Sequence, residues 1–169
     1  SAGYGAVRAA QLALRAARGA DQGIGDAVLA VGIGGPDRGW SVSWVGDCRA
    51  YFVPLGAGAP GRTVLQLTTD HTVAEYLRAR GIHPGARLEH VVTSTVATVE
   101  PDGIGYVAGS GGAGRLVLVT DGVHRVLDAR TIAGIVRTVA DPAAAARQLT
   151  RVLVEAADRS KSVTVSDQL

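Results

Sequence analysis

The sequence predicts an α/β (α+β) domain in which mainly antiparallel strands form layers covered by helices. Three observations carry this expectation. Short apolar runs of strand length alternate with turn-rich gaps through residues 27–67, helical periodicity appears towards both ends, and the 23 glycines are spread along the chain rather than gathered in a tail. With 169 residues, 47% of them apolar, the chain can build one sizeable core, and residues 1–169 are taken as a single domain.

The first element is a helix over residues 6–18, where Val7, Ala10, Leu12, Leu14 and Ala17 recur among good helix formers and Gly19 supplies a stop. Residues 27–31 form a buried strand, and the turn residues of 34–39 join it as a hairpin to a second strand at 40–45, with Trp40, Val42 and Trp44 on one face. Gly46-Asp47 interrupts that strand. It resumes at 49–55 with Ala50 and Phe52 opposite Tyr51 and Val53, and a turn leads to a fourth segment at 63–67. Four segments joined by tight turns predict an antiparallel meander, because parallel neighbours need crossovers of about a dozen residues.

Thr72 or Asp70 is placed to cap a helix through Arg80 with Val73, Tyr76 and Leu77 inward. Residues 88–92 are β-like, and 104–108 form a further strand. Residues 115–120 are the most continuously apolar run, expected at the centre of a sheet. A helix at 131–139 turns Ile132, Ile135, Val136 and Val139 to one face. A second helix starts from the Asp141-Pro142 cap and runs to about Ala157 with Leu149, Val152, Leu153 and Ala156 inward. Residues 163–165 are expected as a last strand.

Several function classes are excluded. The net charge is only +2, and the arginines, with Lys161 the sole lysine, are dispersed and accompanied by few aromatics, so no nucleic-acid surface is expected. No run reaches the roughly 18 apolar residues of a membrane span. Cys48 stands alone, which removes an intrachain disulfide or a Cys-x-x-Cys centre and makes a reducing, cytoplasmic compartment the expected setting. The opening residues carry no export pattern.

Four places could carry chemistry. A hydrophobic strand ending in Thr120-Asp121-Gly122 puts a carboxylate at the strand's lip with room for a metal or phosphate; an ordinary Asp-Gly turn fits the same residues. Asp47 and Arg49, two residues apart in a β segment, suit an internal ion pair, and Cys48 between them suits a small buried hydrophobe. Asp70-His71 is a possible metal pair, though adjacent side chains rarely converge, and His71, His83, His90 and His124 have no ligand spacing. Residues 158–162, with Asp158 and Lys161, are either a solvated connection or the lip of a site.

In order along the chain, Gly46-Asp47-Cys48-Arg49-Ala50-Tyr51, Leu67-Thr68-Thr69-Asp70-His71-Thr72, the strand into Thr120-Asp121-Gly122-Val123, and Ser162-Val163-Thr164-Val165 resemble the motif series of the metal-dependent PPM-type protein serine/threonine phosphatases. Those proteins have Gly-Asp-Ser-Arg-Ala-Tyr, Leu-Thr-x-Asp-His-Ser, a strand into Ser-Asp-Gly, and Asp-Asn-x-Thr. The resemblance covers residues 27–166. It implies a four-layer α-β-β-α sandwich, reduced on its N-terminal side, and in an active enzyme a Mn²⁺ or Mg²⁺ pair whose bridging water attacks phosphoserine or phosphothreonine. Under that carry-over Asp121 matches a metal ligand, while Asp47, Arg49, Asp70 and His71 match structural positions.

The departures all move charge in one direction. No Arg-x-x-Asn-Glu-Asp or Asp-Gly-x-Gly-Gly segment precedes the first helix, Lys161-Ser162 stands where the resemblance implies Asp-Asn, and Arg125 takes a place where an acidic residue is usual. The expectation is therefore a remnant site of Asp121, Gly122, Arg125, Asp158 and Lys161, in which Asp121 meets cations of the protein itself and no metal cofactor is held. The corresponding function is a degenerate, partner-binding domain whose partner is a protein or phosphoprotein. The alternative is an active phosphatase whose missing ligands come from outside this chain.

Overall fold

In a computed structural model of the chain, residues 1–21, 23–35, 39–56, 63–110 and 112–166 are described, with side chains up to Asp158. Two three-stranded antiparallel sheets lie between helices, giving the α-β-β-α sandwich. The strands are β1 (Leu29–Gly35), β2 (Gly39–Val45), β3 (Arg49–Pro54), β4 (Leu65–Gln66), β5 (Gly105–Gly109) and β6 (Gly114–Val119). Sheet one has the order β1-β2-β5 and sheet two the order β4-β3-β6.

Three packed interiors separate the layers. Helix α1 (Ala2–Ala20) packs Val7 against Val45, Val99 and Ile104 on the outer face of sheet one. Between the sheets Val42, Trp44 and Ala50 form a second cluster with Trp40, Val107 and Leu116 around it. Beyond sheet two, Tyr51 and Val53 meet Ile132, Ile135 and Val136 of α4 (Ala129–Thr138) and Leu149 of α5 (Pro142–Ser166). The two-residue period of β3 thus sends Ala50 to one interior and Tyr51 and Val53 to another, as its sequence predicts.

The four segments expected as one meander divide between the sheets. β1 and β2 pair in sheet one down to Gly35 opposite Gly39, and β3 pairs with β4 and β6 in sheet two. Residues 36–38 and 57–62, on which both expected turns fall in part, lie outside the described residues. The passage between sheets is Gly46-Asp47-Cys48. Gly46 has φ +93°, and a Cβ there would stand 2.1 Å from Val28 Cγ1, so no other residue turns the chain at this point without displacing β1's approach.

Further expectations are corrected. Among the described residues β6 is an edge strand, and β3 is central. Its apolar run is explained by layers rather than by sheet position, because Leu116 faces the inter-sheet interior while Val117 and Val119 face the helices. On α1 the buried residues are Gly3, Val7 and Gln11, and Leu12 is exposed, because the Gln11 amide reaches the Val99 carbonyl at 2.7 Å and takes the inward position. Residues 88–92 are not a strand: Ala86–His90 is a 3-10 turn, and Val92 makes a single bridge to Thr72. In α2 (Val73–Arg78), capped by the Thr72 hydroxyl, Ala74 is the buried residue, and Tyr76 is exposed beneath the Arg80 guanidinium, 3.5 Å from the ring centre.

The C-terminal expectation changes most. Residues 158–162 are not a loop and 163–165 are not a strand, because α5 continues through them to Ser166. No glycine or proline follows Pro142, so nothing in the sequence ends the helix before its β-branched residues.

Candidate functional site

The ends of three chain passages meet at one corner of the sandwich: the approach to β1, the β2–β3 crossing, and the exit of β6. They bound a cleft of about 400 Å³ lined by Asp26, Asp47, His90, Thr95, Asp121 and Arg125 among others. Asp121 opens α3 (Asp121–His124), a single turn directly after β6. That turn aims His124 and Arg125 back at the crossing. His124 Nε2 lies 3.0 Å from the Asp47 carbonyl, and one Arg125 nitrogen, Nη2, lies 2.9 Å from Asp121 Oδ2 and 3.5 Å from Asp47 Oδ2. Asp47 is buried and Asp121 is 41% exposed, so a deep and a shallow carboxylate share one guanidinium.

A neighbouring network fixes the crossing itself. Arg49 does not pair with Asp47. It donates through Nε and Nη2 to Asp70, at 3.0 and 2.8 Å, in a two-pronged arrangement that raises its already high pKa further despite burial. The ion pair expected within Asp47-Cys48-Arg49 is thereby replaced by two pairs formed across the fold. His71 diverges from Asp70, as adjacent side chains do. Its Nδ1 accepts from the Gly46 N–H at 3.3 Å, and the His71 backbone N–H donates to the Gly46 carbonyl at 3.0 Å. Burial pulls the His71 pKa down, against the opposing pull of Asp70, which suits an imidazole acting as acceptor. Cys48 is buried, and burial followed by the charges of Asp47, Asp121 and Asp70 pushes its thiol up, away from nucleophilic use.

Asp26 was not singled out by the sequence. It receives the Thr95 hydroxyl at 2.6 Å, the backbone N–H groups of Ala27 and Ala97 at 2.8 and 3.1 Å, and the Arg18 guanidinium at 2.9 Å. Burial would raise its carboxyl, but these partners hold it below the usual carboxylate range. The available signal is a lone carboxylate at the lip of an apolar strand, directly after Gly25. Its acceptor positions are filled by the protein, so it ties α1 to the 95–97 segment.

Asp47, Asp121, Gly122 and Arg125 therefore come together, and Arg49, Asp70 and His71 form the adjoining fastening. Asp158 is exposed on α5, and among the described residues no hydrogen bond or ion pair joins it to Asp121. The backbone of Lys161 belongs to α5, and its side chain lies outside those described.

No sequence-family model matches the chain, and no curated protein matches it. Solved structures do. The serine/threonine phosphatase PstP/Ppp of Mycobacterium tuberculosis superposes with a TM-score of 0.73 at 20% identity, over 90% of this chain and 64% of that one. The catalytic domain of PstP with two manganese ions gives 0.72 at 19% identity over 90% and 63%. The PPM Ser-Thr phosphatase MsPP of Mycobacterium smegmatis, in complex with cacodylate, gives 0.66 at 26% identity over 89% and 66%. The chain thus has the PPM-type phosphatase fold, and it spans less than two thirds of the length of the first two phosphatases it matches.

That fold implies a Mn²⁺ or Mg²⁺ pair, and the residues present do not fit one. Two of the corner's carboxylates already share the Arg125 guanidinium, and among the described residues no three ligating side chains converge. A divalent ion about 4 Å from that guanidinium would be repelled by on the order of 8 kcal/mol near a protein surface, twice the figure for two unit charges. Asp26 is saturated by its own partners.

Proposed function

We propose that this chain is a degenerate PPM phosphatase-like domain that serves as a regulatory or protein-binding module and does not hydrolyse phosphoserine or phosphothreonine. The observation that carries the reading is Arg125 bridging Asp47 and Asp121, a cation of the protein paired with the one carboxylate that matches a metal-ligand position, Asp121. Its partner is a protein or phosphoprotein in a signalling role. The buried, unreactive Cys48 suits a reducing cytoplasmic setting.

A second reading is an active phosphatase completed by ligands from outside this chain. It is supported by the partly exposed Asp121 on a cleft of about 400 Å³, and by the coverage of only 64% of PstP/Ppp. Calorimetric titration with Mn²⁺ up to millimolar concentration, paired with hydrolysis of a phosphopeptide and an aryl phosphate, separates the two. The proposal expects a flat isotherm and no turnover. A two-site isotherm accompanied by turnover that Asp121→Ala abolishes would overturn it.

A further inference from the structure

Asp47 and Asp121 come to the cleft from different passages, one from the β2–β3 crossing and one from the exit of β6, and a single Arg125 nitrogen meets both. The two carboxylates are not equivalent. Asp121 is 41% exposed, so water shares its charge, whereas the Asp47 side chain is 9% exposed and among the described residues has Arg125 as its one ion-pair partner. A carboxylate at that depth needs a cation, because removing its partner leaves an uncompensated buried charge.

The guanidinium is held there by the chain's own bonds. The Arg125 N–H donates to the Asp121 carbonyl at 3.1 Å, and His124 Nε2 lies 3.0 Å from the Asp47 carbonyl, so α3 is fastened over the crossing and the side chain that follows His124 falls back on both carboxylates. All of these contacts lie within the described residues.

We infer that Arg125 is a built-in counter-ion: its guanidinium supplies, in covalent form, the positive charge that this pair of carboxylates would otherwise draw from solution, and so keeps the corner closed to divalent cations. The inference rests on the metal-free reading proposed above and names the single side chain that produces it. Without Arg125 the pair carries two negative charges on hard oxygen ligands, and Mg²⁺ binds through one or two carboxylates while completing its shell with water. Asp26, on the rim of the same cleft, differs. Thr95 and the backbone N–H groups of Ala27 and Ala97 occupy its oxygens even without Arg18. A deleted cation therefore opens a place for an ion at Asp47 and Asp121 and opens none at Asp26.

Thermal midpoints of the whole chain, in EDTA and in millimolar Mg²⁺ or Mn²⁺ at matched ionic strength, test it. The unsubstituted protein should not respond. Arg125→Ala should start lower in EDTA and rise by about 2 °C or more with either ion. Arg125→Gln, which keeps much of the side chain's length without its charge, should rise likewise, and it carries the test where the alanine variant does not fold in EDTA. Arg125→Lys restores a cation and should be insensitive again. Arg18→Ala deletes the same charge at the cleft's rim and should not respond, and adding Asp121→Asn to Arg125→Ala should abolish the rise. A merely structural Arg125 would lower the midpoint without creating any dependence on divalent ions. Neutral Arg125 variants that do not rise, or an Arg18→Ala response as large as theirs, would overturn the inference and leave the metal-free reading standing. A two-site isotherm for the unsubstituted protein would overturn both.

Discussion

Two ion-paired corners lie side by side at the β2–β3 crossing, and they are built differently. In one, Arg49 meets Asp70 through two nitrogens at 3.0 and 2.8 Å, with Asp70 11% exposed. In the other, a single Arg125 nitrogen serves Asp121 at 2.9 Å and Asp47 at 3.5 Å, with Asp121 41% exposed. A two-pronged pair fixes an orientation as well as a charge, whereas one shared nitrogen mainly neutralises. The first corner therefore fastens the passage between sheets. The second balances charge at a cleft, and it is the corner where the sequence departs from the phosphatase motifs.

If the crossing is the fastened region, the largest loss should come from the residue that turns it. Gly46→Ala places a side chain at φ +93° and drives its Cβ to 2.1 Å from Val28 Cγ1. The backbone conformation and the overpacking together predict a loss of about 3 kcal/mol or more, read from the urea midpoint. A midpoint close to that of the unsubstituted chain would mean that β1's approach yields easily, and the distinction between the corners would weaken.

Next in size is the direct comparison of the two pairs. Asp70→Ala strands a mostly buried guanidinium and should lose about 2 kcal/mol, below the full figure for a buried pair because Arg49 retains some solvent. Asp121→Ala should lose less than about 1 kcal/mol, since its carboxylate is partly solvated and Asp47 still faces Arg125. Equal losses in parallel urea titrations would erase the difference on which the assignment of roles rests.

These contrasts also explain what could be read from the sequence. The faces of α4 and α5 and the alternation of β3 follow from periodicity, and the structure has Ile132, Ile135, Val136 and Leu149 where that pattern puts them. The motif order led to the sandwich. The Arg49–Asp70 and Arg125–Asp47 pairings were not legible, because they span 21 and 78 residues and spacing within a motif carries no information about such contacts. Asp26 was missed for the same reason, its partners coming from Arg18, Thr95 and Ala97. The apolar run of β6 indicated burial on both faces, which a layer in a sandwich provides at an edge as well as at a sheet's centre. Residues 163–165 have strand propensity, but a helix already running from Pro142 meets no stop before them.

The smallest expected effect concerns pH and belongs to the fastened corner. His71 accepts the Gly46 N–H through Nδ1, burial lowers its pKa from the ordinary 6.5, and the Asp70 charge opposes that shift without reversing it. The neutral ring is the form the fold favours, so below pH 6.5 the unfolded chain takes up the proton first. Stability is then present above that pH and declines as pH falls from 6.5 through the lower folded value. The chain has three other histidines, so the informative quantity is the difference from His71→Gln, which offers a neutral amide with no titration. The urea midpoint of the unsubstituted chain should drop more steeply between pH 7 and pH 5 than that of the variant. Parallel profiles would show that His71 does not clamp Gly46 as a neutral acceptor, and would leave Arg49 and Asp70 as the whole of the fastening.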